Sequence, residues 1–258
     1  MTNSTKAGGG IAAKKKRRGG ALWDTFKTIF YAVVAALIVR SVAYEPFNIP
    51  SGSMIPTLLV GDYLFVSKFS YGYTHYSLPW SPRLFSGRIL DSMPERGDVA
   101  VFKLPTDDEI DYIKRIIGLP GDRIQMKNSL LYINGELVPR EQIEDFVFTD
   151  TQGHEQRLPQ FIETLPNGKR YNTLDRAPDG LLDNTPVFVV PEGHYFGMGD
   201  NRDSSLDSRT QQVGFIPDEN LIGRAETIFF SSNGTAHFWE VWKWGSAIRG
   251  ARLLTEIK

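Results

Sequence analysis

The chain has 258 residues, 41% of them hydrophobic and 23% charged, and no cysteine; this excludes a disordered protein, a thiol nucleophile, cysteine-ligated zinc and any disulfide. Its length suffices for one large or two modest domains with cores of their own. The formal net charge of -1 hides an asymmetry: Lys6, Lys14, Lys15, Lys16, Arg17 and Arg18 precede the first apolar segment with no acidic residue among them, a run too short for a nucleic-acid tail.

The apolar segment comes next. Ile29 to Val39 is continuously apolar, and extending it from Ala21 to Tyr44 reaches the ~20 residues of a membrane span. Lys27 and Arg40 can snorkel towards opposite interfaces, Trp23 and Tyr44 suit the two aromatic belts, and the basic flank predicts a cytoplasmic N-terminus. A competing reading stands beside the anchor: Ser41-Val42-Ala43 has the small residues of a secretory cleavage site, as in a removed signal peptide.

Beyond Tyr44, short alternating segments dominate. Asp62–Lys68, Gly97–Lys103 and Arg224–Phe230 read as strands punctuated by Gly and Pro, and Leu130–Val138 reads as a hairpin whose Asn134-Gly135 suits a type I′ turn. No long helical periodicity interrupts them, which predicts a mainly antiparallel β architecture. From about Arg123 to Pro191 the composition turns polar and loop-like, as in Thr149–His154 and Ala177–Gly180. Phe238-Trp239-Glu240-Val241-Trp242-Lys243-Trp244 suits either a surface resting in lipid headgroups or tryptophans packed on the core.

Three separated segments carry the chemistry. Ser53 lies on the Pro/Gly-rich turn Ile49-Pro50-Ser51-Gly52-Ser53-Met54-Ile55-Pro56, and a serine needs a base to become a nucleophile. Lys114 is a candidate: in a strand, Ile110, Tyr112, Lys114 and Ile116 share one face while Asp111 and Arg115 take the other. An apolar setting would lower the ~10.4 of free lysine, whereas an arginine does not deprotonate. The third segment, Gly199–Arg209, is acidic but fails the calcium-loop template, with Ser208 and Gly214 where Gly and Glu are needed counting from Asp203. His75, His154, His194 and His237 sit in no base motif, and no Gly-x-Ser-x-Gly elbow surrounds Ser53.

Together the three segments resemble the bacterial type I signal peptidases, also called leader peptidases, which are membrane-anchored Ser/Lys endopeptidases. The likeness runs from the anchor to about Arg224 and leaves roughly residues 124–190 unmatched. It implies Ser53 as nucleophile and Lys114 as base, with the Ser53 N–H and the Ser51 hydroxyl as the oxyanion hole. Ser205 would hydrogen-bond the lysine amine, and Asp207 and Arg209 would pair and brace their loop. Phe47, Ile49, Leu58, Leu64, Val101, Tyr112 and Ile113 would wall pockets selecting small residues at the first and third positions before the cleaved bond, an Ala-x-Ala preference.

The implied organisation is a basic cytoplasmic tail (1–20), a transmembrane anchor (21–44), an antiparallel β catalytic core (45–123 and 192–258) and an inserted smaller, variable β domain (124–191). The implied place is the bacterial inner membrane, single-pass, with the catalytic domain on the periplasmic side. The implied partners are signal peptides of exported preproteins and the lipid bilayer, with no nucleic acid, metal or cofactor. A membrane-tethered β-domain that binds exported peptides without cutting them is the alternative from another functional class.

Overall fold

The computed structural model describes residues 18–149, 155–176, 180–237 and 239–258. Lys6, the run Lys14–Arg17, His154 and Phe238 lie outside them, as do parts of the polar stretches around Thr151 and Pro178. The chain divides into two compact units, Met1–Ile38 and Val39–Lys258. Helix α1 (Arg18–Val42, 25 residues) is ~37 Å long at 1.5 Å per residue. Its segment Trp23–Val42 is long and apolar enough to cross a bilayer, with a hydropathy of 1.6.

In the second unit the chain first forms β1 (Tyr44–Asn48), β2 (Asp62–Ser67), β3 (Val99–Leu104) and β4 (Asp107–Gly118). Short strands follow: β5 (Arg123–Lys127), β6 (Leu130–Ile133), β7 (Glu136–Leu137), β8 (Arg140–Gln142), β9 (Phe146–Thr149), β10 (Glu155–Leu158), β11 (Gln160–Thr164), β12 (Arg170–Leu174) and β13 (Phe188–Val189). The chain then returns through β14 (His194–Met198), β15 (Ile216–Pro217), β16 (Leu221–Ser231) and β17 (Thr255–Glu256). The main sheet is antiparallel, in the order β1-β2-β16-β3-β4-β14-β15, with β17 also on β16. The short strands make separate sheets, β13-β5-β6-β7, β12-β11-β8 and β10-β9. A mainly antiparallel β architecture, preceded in the chain by one apolar helix, is what the alternating segments and the apolar run of residues 21–44 predict.

Alternation along β2 shows why the sheet forms where it does. Asp62, Leu64 and Val66 are buried while Tyr63 and Phe65 stay partly exposed, the period of two that puts one strand face on a core. The outer face is not polar, as an open antiparallel sheet in water would have it. Phe69, Tyr44, Phe65, Phe229 and Tyr63 instead form a continuous run of ring contacts across it. In the β6–β7 hairpin, Asn134 (φ 56°) and Gly135 (φ 85°) supply the two left-handed residues of a type I′ turn.

The core has no seam at the short strands. Ile117, Phe196 and Met198 of the main sheet pack in one cluster with Ile124, Met126, Leu131, Ile133, Leu165 and Tyr171 from 123–189. Removing a fully buried side chain leaves a cavity costing roughly 2–5 kcal/mol. Leu131→Ala should therefore lower the urea midpoint of the whole Val39–Lys258 unit, followed by tryptophan fluorescence; an early partial transition that left the rest intact would count against a shared core.

Candidate active site

Ser53 sits on the connection from β1 to β2. The base of that connection is closed by Ile49 N–H to Asp62 O (2.8 Å) and Gly61 N–H to Ile49 O (2.9 Å). The buried Asp62 carboxylate accepts from Ser231 Oγ (2.6 Å), Arg252 Nη2 (2.5 Å) and Leu59 N–H (2.8 Å). Met54 and Leu58, which follow Ser53, are fully buried and anchor the turn in the core, leaving Ser53 at the edge of a cleft. Lys114 stands on β4, whose second half is buried on both faces. The third segment arrives by register: Met198 of β14 lies opposite Arg115, so the residues that follow it emerge beside Lys114.

The central contact joins residues 61 positions apart, with Lys114 Nζ donating to Ser53 Oγ at 2.9 Å. A second hydrogen bond from Nζ goes to its neighbour's carbonyl, Ile113 O, at 2.9 Å. Burial is the main cause that pulls the Lys114 amine down to about 8, against the opposing charges of Asp207 and Asp200. The Tyr112 ring lies 5.1 Å from the same nitrogen. Ser51 Oγ is 3.4 Å from Ser53 Oγ. Gly199 closes the arrangement, because a Cβ there would meet Ser205 Oγ and come within 2.6 Å of Ser53 O.

Around the dyad the Gly199–Arg209 segment is held by charge. Arg209 clasps Asp207 in a two-point pair, Nε to Oδ1 at 2.9 Å and Nη2 to Oδ2 at 2.8 Å, and Gly199 N–H donates to Oδ2 at 3.0 Å. Burial alone would raise the Asp207 carboxyl, but the Arg209 guanidinium and the Gly199 and Arg209 N–H groups hold it below the usual carboxylate range. The hydrogen bond from Ser205 to the lysine amine that the resemblance implies is not formed. Ser205 Oγ is buried and has no hydrogen-bond partner among the described residues, since Lys114 Nζ is turned to Ser53 and Ile113 instead.

Sequence reasoning passed over two supports. Asn201 N–H donates to Ser53 O at 3.1 Å and Asn201 Nδ2 donates to Gly52 O at 3.1 Å, so one residue grips the serine turn from both sides of the peptide. Arg115, set aside as a base, forms a fully buried two-point pair with Asp200 (2.9 and 2.7 Å). Thr57 Oγ1 joins the same carboxylate at 2.5 Å. The sequence signal for this pair is an arginine placed on the strand face opposite Lys114, inside a run of isoleucines where it needs a partner.

A cleft of about 490 Å³ opens over the dyad, lined by Phe47, Ile49, Ser51, Val101, Tyr112 and Ile113 together with Ser53 and Lys114. Ile110, Asp111, Ser204 and Leu206 also line it and were not anticipated. Two expected wall residues are elsewhere: Leu58 and Leu64 are 0% exposed and belong to the core cluster behind the cleft, because the inward face of β2 and the Met54–Leu58 turn point away from solvent. None of the described histidines, His75, His194 and His237, lines the cleft.

A lysine accepts a proton only when neutral, so acylation of Ser53 by an electrophilic ester probe should be slow below a pH of about 8 and rise to a plateau above it. A rise centred near the ~10.4 of free lysine would show that burial does not control the amine.

The family model described as signal peptidase, peptidase S26, matches residues 22–230. The chain is 42% identical over 241 residues to the signal peptidase I of Rickettsia canadensis (strain McKiel), covering 90% of this chain and 86% of that one. It is 44% identical over 218 residues to the signal peptidase I of Rickettsia typhi (strain ATCC VR-144 / Wilmington), covering 81% of each. A crystal structure of a signal peptidase I from Enterococcus faecalis V583 aligns with 52% of this chain and 97% of its own at 27% identity and a TM-score of 0.31, a score too low to carry an argument about the fold. With most of its length matched in this way, and with the serine and lysine segments inside the matched span, the chain belongs to the signal peptidase family, peptidase S26.

Proposed function

We propose that the protein is a membrane-bound signal peptidase I that removes N-terminal signal peptides from exported preproteins after an Ala-x-Ala-like site, through an acyl-enzyme on Ser53. The observation that carries this reading is the buried 2.9 Å contact between Lys114 Nζ and Ser53 Oγ. Neutral Lys114 takes the Ser53 proton as Oγ attacks the scissile carbonyl. The resulting ammonium then protonates the leaving amine, which frees the first product and leaves an ester on Ser53. Lys114, neutral again, deprotonates a water that hydrolyses the ester, and it passes that proton to Ser53 Oγ as the acyl product leaves. The Ser53 N–H and the Ser51 hydroxyl stabilise the oxyanion in each step. No step draws on a metal, a cofactor or nucleic acid.

Two unpaired strand edges support an extended substrate. β4 pairs with β3 through 111–113 but meets β14 only from Arg115 onward, and β1 pairs with β2 alone as the outermost strand of its sheet, so 110–113 and Phe47–Ile49 each border the cleft with one edge free of a strand partner among the described residues. A peptide added there sends alternate side chains to one side, towards the apolar wall of Phe47, Ile49, Val101, Tyr112 and Ile113. Small residues fit the first and third positions before the cut. Leu58 and Leu64 back that wall from the core.

Residues 21–44 are the anchor and 1–20 the cytoplasmic tail; 45–123 and 192–258 form the catalytic core on the periplasmic side of the inner membrane, with 124–191 as the insertion. A lipid-facing surface fits the aromatic run on the outer sheet face, and Trp239, Trp242 and Trp244 add exposed indoles, the residue type that favours the headgroup region.

Ser53→Ala, Lys114→Ala and Lys114→Arg should each lower cleavage of a preprotein by ~10²-fold or more, with Lys114→Arg failing despite its charge. Substantial activity in Lys114→Arg would exclude proton acceptance, and wild-type binding without cleavage would support a tethered binder. Because the chain has no cysteine, single cysteines can report the topology. Leu181→Cys, at a position 97% exposed, should react with an impermeant maleimide on intact spheroplasts, and Lys14→Cys only after lysis. The reverse pattern would refute the orientation.

A further inference from the structure

The short strands contribute two buried polar side chains to the back of the active site. Glu163 on β11 and Tyr171 on β12 lie opposite each other in register, and Tyr171 Oη donates to Glu163 Oε2 at 2.6 Å. Both are buried, and neither lines the cleft. The same Glu163 oxygen accepts from Arg202 Nη2 at 2.6 Å, and Arg202 Nη2 is 3.1 Å from Tyr171 Oη. The Tyr171 ring lies 4.4 Å from the Arg115 guanidinium.

Each arginine leads straight to the dyad. Arg115 follows Lys114 on β4 and is locked to Asp200. Arg202 follows Asn201, whose N–H and amide hold the carbonyls of Ser53 and Gly52. The Arg202 carbonyl also accepts from Arg209 Nη2 at 2.7 Å. Four buried charges, Arg115, Arg202, Asp200 and Glu163, therefore balance at zero only while Glu163 is present. Without it Arg202, fully buried, would seek Asp200 and draw it from Arg115.

We propose that Glu163 and Tyr171 are positioning residues of the peptidase reaction: by fixing Arg202 and Arg115 they set the separation of Ser53 Oγ and Lys114 Nζ. The segment 124–191 thus supplies part of the active-site scaffold. This rests on the Ser/Lys reading of the site. Loosening the pair admits water to Lys114, which moves its amine upward towards that of free lysine.

The test uses the full-length protein in detergent micelles with a signal-peptide substrate, comparing wild type with Glu163→Gln, Tyr171→Phe, Arg140→Gln, Ser53→Ala and Lys114→Ala. Tyr171→Phe removes one hydroxyl and keeps the ring over Arg115, so it carries the test even where Glu163→Gln does not fold. Glu163→Gln and Tyr171→Phe should lower kcat by ~10- to 100-fold with KM within about twofold, and the acid limb of kcat/KM should move to higher pH. Arg140→Gln breaks a part-buried pair with Asp175 in the same segment and should lower the melting temperature without moving that limb. Tyr171→Phe with wild-type kcat, or with a loss proportional to the unfolded fraction and an unmoved acid limb, overturns the inference. Activity surviving in Ser53→Ala or Lys114→Ala would instead overturn the Ser/Lys reading itself.

Discussion

The structure turns on keeping one amine out of water while a hydroxyl stays 2.9 Å from it. A lysine held at about 8 instead of the ~10.4 of the free side chain costs the folded chain on the order of 3 kcal/mol at neutral pH. The unfolded chain binds the proton more readily, so stability rises with pH between those two values and the deficit is fully present below the lower one. The rest of the protein must offset that deficit. The buried second half of β4, with Ile113, Ile116 and Ile117 each in a different hydrophobic cluster, is where it does so.

Charge does the remaining work of holding the site. Arg115 with Asp200, Arg209 with Asp207 and Arg202 with Glu163 are all pairs almost wholly shut from solvent. Such pairs contribute little net stability, yet removing one partner costs roughly 3–5 kcal/mol. They therefore act as geometric locks. Their backbone consequences are specific: they fix the Gly199–Arg209 segment, and Asn201 within it fixes the carbonyl of Ser53.

The outer sheet face follows a different rule from the core. Tyr63 and Phe65 occupy the positions where alternation calls for polar side chains, and their rings join Phe229, Tyr44 and Phe69. An aromatic outer face is costly in water and natural beside lipid headgroups. The same strand thus has two unlike apolar faces, with Leu64 and Val66 in the core and its aromatics outside.

Much was legible locally. The 25-residue helix, the alternating strands, the Asn-Gly hairpin and the family membership all follow from residue order over short windows, because period, turn chemistry and residue type are local properties. What only the tertiary structure decided lies in pairings between distant residues. β14 lies beside β4, which brings Asp200 to Arg115; Leu58 and Leu64 are turned into the core; Ser205 Oγ is left without a hydrogen-bond partner among the described residues; and Glu163 reaches Arg202 from a stretch that looked only polar and loop-like. No window of sequence contains these facts, because desolvation and charge pairing depend on which strands become neighbours, and that order is set by the packing of the whole sheet.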